Sequence, residues 1–171
     1  GCWISEWKGT YSLSEGSRES RGTSITLHLR EDAKEFIELP RVKEIVRKYS
    51  NFLPWPVYVG EDQANSGKAL WMERAADITD EEASEFYRSI AMDWQDPLFR
   101  VALASDSPLQ YNALLFVPAQ RPLDLFHPEA DKGPRLYAKR VLIEEHAKGL
   151  IPDWLRFVKG VVDSQDISLN V

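Results

Sequence analysis

The chain has 171 residues, 43% of them hydrophobic, with six Trp, six Tyr and seven Phe, which excludes a disordered polypeptide and allows one domain or two smaller pieces. The net charge of −6 disfavours nucleic acid as a partner, because phosphate binding needs a basic surface. No apolar run is long enough to cross a membrane, and the one cysteine, Cys2, excludes a disulfide framework. The chain begins with Gly and shows no signal-peptide pattern, so we expect both ends to be cuts within a longer protein.

The first predicted elements are strands. The segment Gly9–Glu15 alternates between polar and apolar residues, and Thr23–Arg30 does so more regularly. An alternation of period two is typical of a half-buried strand. The polar, glycine-flanked segment 15–22 between them is predicted to form a hairpin loop.

Helical patterns follow. A short helix is predicted over Asp32–Ile37, and a second one opens at Pro40, a residue favoured in the first helical turn. Val57–Val59 then indicates a strand. The next segment, 60–68, is polar, contains two glycines and has no apolar pattern, which predicts a linker between two domains.

The pattern restarts after this segment with a capping box, in which Thr79 and Glu82 would satisfy the free amides of a helix start. Ala83, Phe86, Tyr87 and Ile90 would form the buried face of that helix. Strands are predicted at 99–104, 109–117 and 136–143. A last helix begins at Pro152, and its expected core-facing residues are Trp154, Leu155 and Val158.

No local pattern predicts a catalytic or metal site. His28, His127 and His146 are far apart in sequence and lack the spacing of metal ligands. The acidic residues around 77–85 are better explained as the solvated first turn of a helix, where carboxylates complement the helix dipole. The residues alone therefore predict mixed α and β pieces joined by a linker, with no assigned chemistry.

Several separated segments resemble the heat shock protein 90 family, and they occur in that family's order. The most specific is the closing run from Trp154 to Val171, with its string Phe157–Ser164. The other matching segments are 21–29, 41–50, 69–71, 85–88, 93–97, 114–118 and 136–141.

The resemblance implies an α/β fold, an α+β two-layer sandwich, in two parts. Residues 1–59 would be the C-terminal part of the GHKL ATP-binding domain, and 60–68 a short linker. Residues 69–171 would be the N-terminal part of the middle domain, which has a fold like domain 2 of ribosomal protein S5.

The resemblance further implies an ATP-dependent chaperone that binds unfolded or client proteins, uses ATP and Mg²⁺, and forms a homodimer through a domain outside this chain. Thr23 matches a residue that binds adenine through water. Trp94 matches an exposed tryptophan linked to client contact or conformational switching, with core packing as the alternative. The family's catalytic Glu, magnesium-binding Asn and lid would lie upstream, and its γ-phosphate Arg would follow Val171. We therefore expect no catalytic residue, no metal ligand and no ATP hydrolysis in this chain alone.

Three departures from the family pattern suggest a divergent member: Ser168 where Pro is usual, Gln165 where an acid is common, and Leu142 where Phe is usual. The short linker is similar to mitochondrial or bacterial members, which implies a mitochondrial or cytoplasmic location. Two other functions remain open at this point. One is a GHKL ATPase of the DNA mismatch-repair or gyrase type, and the other is a protein-binding module that is indifferent to nucleotide.

Overall fold

A computed structural model of the chain describes residues 1–6, 9–122 and 133–167. The chain divides into two compact units, 1–34 and 35–171. The segment predicted to be a linker, 60–68, thus lies within the second unit.

The first unit contains an antiparallel hairpin of β1 (Cys2–Ser5) and β2 (Tyr11–Ser14). The predicted strand in 9–15 is therefore confirmed, but its expected partner is not. Residues 23–30 are exposed and form no strand in the structure. Alternation shows that a segment has an apolar face, yet a strand also needs a neighbour for its backbone groups, and β1 takes that place beside β2.

A 3-10 helix (Glu31–Ile37) replaces the predicted short helix, and α1 (Leu39–Tyr49) follows with Pro40 in its first turn, as predicted. The chain then makes the short hairpin of β3 (Tyr58–Val59) and β4 (Asp62–Gln63). An ion pair of 2.5 Å between Lys43 and Asp62 joins α1 to this hairpin.

The segment after β4 is ordered by the buried side chain of Asn65. Its Oδ1 accepts from the amide of Val57 at 2.8 Å, and its Nδ2 donates to the carbonyls of Leu53 and Trp55 at 3.1 and 3.0 Å. The short linker predicted at 60–68 is therefore an ordered segment. Here polar side chains satisfy the backbone of a compact turn.

The second unit is built on a five-stranded sheet in the order β5-β6-β9-β7-β8. All neighbours are antiparallel except β7 and β9, which are parallel. The strands are β5 (Phe99–Ser105), β6 (Tyr111–Val117), β7 (Arg135–Ala138), β8 (Val141–Glu144) and β9 (Lys159–Ser164).

Two of these strands correct the sequence prediction. The single strand expected at 136–143 is the hairpin β7–β8, which turns at Lys139 and Arg140 with φ of 50° and 68°. A two-residue turn with both φ positive normally carries Asn or Gly, so the sequence did not reveal it.

In the closing run, the expected helix is one 3-10 turn (Asp153–Leu155), and Trp154 is 72% exposed instead of facing the core. A single turn is too short to place it on one face with Val158.

Helix α2 (Asp80–Ala91) and a short 3-10 helix (Leu70–Met72) pack on one face of the sheet. Phe52, Trp71, Phe86 and Tyr137 form an aromatic cluster in this core, with 4.7 Å between the ring centroids of Phe52 and Trp71. Leu142 is also buried in it, so this departure from the family pattern fills a core position with a smaller apolar side chain. The mixed α/β architecture predicted for the chain is thus confirmed. Among the described residues, no helix has the length and apolar character to cross a membrane.

Candidate functional site

Helix α2 begins at the capping box that the sequence predicts. The hydroxyl of Thr79 accepts from the amide of Glu82 at 3.2 Å, and the Glu82 carboxylate accepts from the amide of Thr79 at 3.2 Å. Lys68 donates to the same carboxylate at 2.6 Å. The Lys68 hydrogen bond and the Thr79 amide hold the pKa of Glu82 below its ordinary value. The N-terminal end of α2 is therefore fixed on both its backbone and its side chains.

The other end of α2 stops sharply at Met92, which takes a left-handed conformation with φ of 53°. The amide of Met92 donates to the carbonyl of Arg88 at 3.1 Å. The guanidinium of Arg135, on β7, donates to the carbonyl of Ile90 at 3.2 Å. These bonds use carbonyls that a helix end would otherwise leave to solvent.

The loop after α2 is braced by two carboxylates. Asp93 accepts from the Tyr87 hydroxyl at 2.9 Å and from the amide of Gln95 at 3.0 Å. Asp96 pairs with Arg88 at 2.7 Å. Burial, and then the neighbouring Asp93 carboxylate, raises the pKa of Tyr87, so its hydroxyl remains a donor. The Arg88 hydrogen bond lowers the pKa of Asp96. The loop backbone is therefore held from both sides.

This braced loop presents large apolar side chains to solvent. Trp94 is 88% exposed, and three others are exposed near it in sequence. We call these four residues the apolar patch: Met92, Trp94, Leu98 and Phe99. Core packing, the alternative considered for Trp94, is not what the structure shows. Large apolar side chains held in water are typical of an interaction surface.

Thr23, the other predicted site residue, lies in the exposed segment of the first unit. It is in a different compact unit from Trp94. Within the described residues, no group of three or more His, Cys, Asp and Glu could hold a metal ion. His127 lies outside them.

A shallow cavity of about 610 Å³ lies in the second unit, and its lining includes Trp55, Lys68, Glu73 and Arg140. Lys68 is already paired with Glu82 and lies 3.8 Å from Glu73. The lining therefore carries charges of both signs.

The sequence did not reveal the role of Asp163, the acid of the closing run. Its carboxylate is fully buried and accepts from the indole of Trp71 at 3.0 Å. It also accepts from the amide of Arg140 at 3.2 Å, at the β7–β8 turn. The string Phe157–Ser164 therefore supplies the acceptor that ties β9 to the turn and to the aromatic cluster. The only sequence signal was an acid inside an apolar strand.

Comparisons with known proteins place this architecture. The family model for the Hsp90 protein matches residues 59–171, well over half of the chain. The chain belongs to the Hsp90 family. Residues 59–171 include the aromatic cluster's Trp71, the apolar patch and Asp163.

Curated relatives agree with this Hsp90 assignment across almost the whole chain. The Chaperone protein HtpG of Desulfitobacterium hafniense is 47% identical over 169 residues, covering 99% of this chain and 28% of the relative. The HtpG of Chlorobium chlorochromatii is 42% identical, and the match covers 99% of this chain and 27% of the relative. The HtpG of Geobacter metallireducens is 40% identical, and the match covers 99% of this chain and 30% of the relative. The chain thus spans less than a third of the length of these relatives. They are bacterial, and they lend no support to a mitochondrial member.

Proposed function

We propose that this Hsp90-family chain is part of an ATP-dependent molecular chaperone that binds unfolded or client proteins and couples ATP binding and hydrolysis to their folding. The relatives at 40–47% identity are named chaperone proteins, which supports the first half of the proposal. Their bacterial origin favours a cytoplasmic protein. We also propose a homodimer formed through a domain outside this chain.

The proposed domain plan has three parts. Residues 1–59 are the C-terminal part of a GHKL ATP-binding domain, 60–68 connect the domains, and 69–171 begin a middle domain like domain 2 of ribosomal protein S5. The family match starts at residue 59, which supports a change of domain there. The buried Asn65 makes the proposed connection a folded turn rather than a loose one.

The proposed cofactors are ATP and Mg²⁺, and Thr23 is proposed to contact adenine through water. A hydroxyl suits that role because it can donate to or accept from an ordered water. The remaining nucleotide contacts would come from outside this chain. We therefore expect the 171-residue chain alone to show no ATP turnover.

The apolar patch carries the proposed client contact, and the exposed indole of Trp94 is the observation on which it rests. An unfolded client exposes apolar side chains, and a rigid aromatic gives a large contact area for little loss of side-chain entropy. The brace of Tyr87, Asp93, Arg88 and Asp96 keeps the loop in place, so the patch is available before a client arrives.

The test compares the 171-residue chain with a polypeptide of the relatives' full length. We expect the longer polypeptide to hydrolyse ATP and to suppress aggregation of a heat-denatured client in a nucleotide-dependent way. We expect no turnover above buffer from the 171-residue chain. ATP turnover by that chain would refute the domain plan. If the longer polypeptide suppresses client aggregation equally with and without nucleotide, a nucleotide-independent binding module would be favoured.

A DNA-directed GHKL ATPase receives no support from the structure or the comparisons. The chain carries a net charge of −6, and its relatives are named chaperones. Salt-sensitive DNA binding by the longer polypeptide would be the contrary result.

A further inference from the structure

The five-stranded sheet has two edges, and they are protected very differently. The β8 edge is four residues long and ends in Glu144. The next residue, Glu145, pairs with Lys48 of α1 at 3.1 Å, so a helix is tied beside this edge. Short strands, charged residues and a covering helix are the usual ways in which proteins block an exposed sheet edge.

The β5 edge has none of these protections among the described residues. It is seven residues long and pairs only with β6 in the described part of the chain. Phe99, Val101 and Leu103 alternate onto one face and are 52%, 38% and 45% exposed. Ala102 and Ala104 alternate onto the other face together with Arg100.

The one charged residue of β5 does not guard the edge. The Arg100 guanidinium donates to the carbonyls of Ile78 and Thr79 at 2.8 and 3.1 Å. It also pairs with Asp80 at 2.8 Å. These contacts draw the charge to the start of α2, on the core side of the sheet. Long apolar edges without charge are templates for another strand.

We propose that the β5 edge binds an extended, apolar polypeptide segment as a sixth strand. This proposal deepens the proposed client contact and rests on it. Only an extended backbone can pair with the free amides and carbonyls of an edge strand, and its alternate side chains would pack along Phe99, Val101 and Leu103. The apolar patch includes Phe99 itself, so the pairing edge and the patch form one continuous stretch of chain.

The occupant is therefore an unfolded segment with apolar residues at every second position and without proline. The net charge of −6 and the exposed Asp106, next to the end of β5, favour a segment with basic flanks. A second copy of this chain could use the same edge, and the experiment separates that outcome.

The first experiment asks whether backbone hydrogen bonds carry the binding. The probe is a fluorescein-labelled peptide of alternating Val and Thr with Lys at both ends, titrated into the 171-residue chain and read by anisotropy. Two N-methylated versions remove the amide donors from one peptide edge or from the other. Strand pairing predicts that one version loses about tenfold or more in affinity while the other binds like the parent. Equal binding by all three peptides would overturn the proposal, because side chains alone would explain it.

The second experiment places the site. V101K and L103K each introduce a charge at an exposed position of the edge, and W154K introduces the same charge at an exposed position outside the sheet strands. We expect about tenfold weaker peptide binding for the first two and no change for W154K. Circular dichroism and thermal melting check that each variant is folded, and L103K serves if V101K is not. Unchanged peptide binding by both folded edge variants would overturn the proposal.

The third experiment tests whether a second copy of this chain occupies the edge. Sedimentation of the peptide-free chain measures whether it is a monomer or a dimer. A dimer that V101K dissociates and that the peptide does not displace would assign the edge to a second copy and overturn the proposal. The longer polypeptide's suppression of client aggregation distinguishes a failure of this proposal from a failure of the proposed function. If V101K and L103K suppress aggregation fully, the edge proposal fails and the function stands. If the unsubstituted polypeptide suppresses none, the proposed function itself fails.

Discussion

At the scale of single residues, Gly160 shows why strand β9 can lie where it does. Its φ is 138°, a conformation that L side chains rarely adopt. A Cβ at this position would lie 2.8 Å from the Cα of Leu115 and even closer to the carbonyl oxygen of Leu114. Both are backbone atoms of β6 at the centre of the sheet, so they have little freedom to move away.

We therefore expect Gly160→Ala to lower the free energy of unfolding by about 3 kcal/mol, from strain and overlap together. Urea denaturation of the 171-residue chain measures this change in the free energy of unfolding. Gly149→Ala is the matched control, because Gly149 also has a positive φ, 83°, but nothing within 4 Å of an added Cβ. A loss no greater than that of the control would show that the close approach to β6 is not needed.

The second residue-scale prediction concerns the buried Asp163. In Asp163→Asn an NH₂ group takes the place of one carboxylate oxygen. At Oδ2 it would face the Trp71 indole, and at Oδ1 it would face the Arg140 amide at 3.3 Å, so either orientation sets two donors against each other. We expect a loss of about 2 kcal/mol, the cost of leaving a buried donor unsatisfied. Unfolding followed by tryptophan fluorescence provides the measurement, with the exposed Asp153→Asn as control. Equal stability of the two variants would contradict the role given to Asp163.

At the scale of elements, the capping box of α2 fixes the helix that carries the apolar patch. Thr79→Ala removes the oxygen that accepts from the Glu82 amide, and we expect it to cost about 1 kcal/mol. Thr79→Ser keeps that oxygen and should cost almost nothing, because serine is at least as favourable an N-cap as threonine. Thermal unfolding of the three proteins decides the point. Equal melting of the Ala and Ser variants would mean that the cap contributes nothing.

The lowered pKa of Glu82 gives a pH dependence with a definite sign. A carboxyl group whose pKa is lower in the folded state stabilises the fold above its unfolded pKa, roughly 4.3 for Glu. This contribution is lost as the pH falls through the folded value. Glu82→Gln should therefore destabilise the chain at pH 7 and have a smaller effect at pH 3. Urea midpoints at both values test this, and a larger effect at the lower pH would contradict the sign.

The elements that the sequence predicts well are those whose reasons are local. Pro40 opens α1 and the Thr79 capping box opens α2, because both act within one helical turn. The features that the sequence does not reveal depend on partners distant in sequence. Nothing within residues 23–30 reveals that β2 pairs with β1, and nothing in 60–68 reveals that Asn65 binds the carbonyls of Leu53 and Trp55. The β7–β8 turn was missed because it uses Lys and Arg where Gly or Asn is usual.

At the scale of the whole molecule, the family could be predicted from short local strings, whereas the geometry of the candidate site could not. Strings such as Phe157–Ser164 were enough to predict the Hsp90 family, which the family match then showed. Trp94 could be named from the resemblance, but its exposure could not, because an aromatic residue after a helix is equally compatible with a core position. The exposure of the β5 edge depends on the strand order of the sheet and on the contacts of Arg100 with the start of α2. No short segment of the sequence predicts either of them.

The measurement that tests the account most directly is client protection by Trp94→Ala in a polypeptide of the relatives' full length. Aggregation of a heat-denatured client is followed by light scattering, and the melting temperature of each variant is measured beside it. Trp154→Ala is the matched control, because Trp154 is also exposed but lies outside the apolar patch. We expect Trp94→Ala to lose most of its protection, with an unchanged melting temperature and unchanged ATP turnover, and we expect Trp154→Ala to protect fully. Full protection by Trp94→Ala, or a melting temperature that falls together with the protection, would contradict the assignment of the apolar patch to client binding.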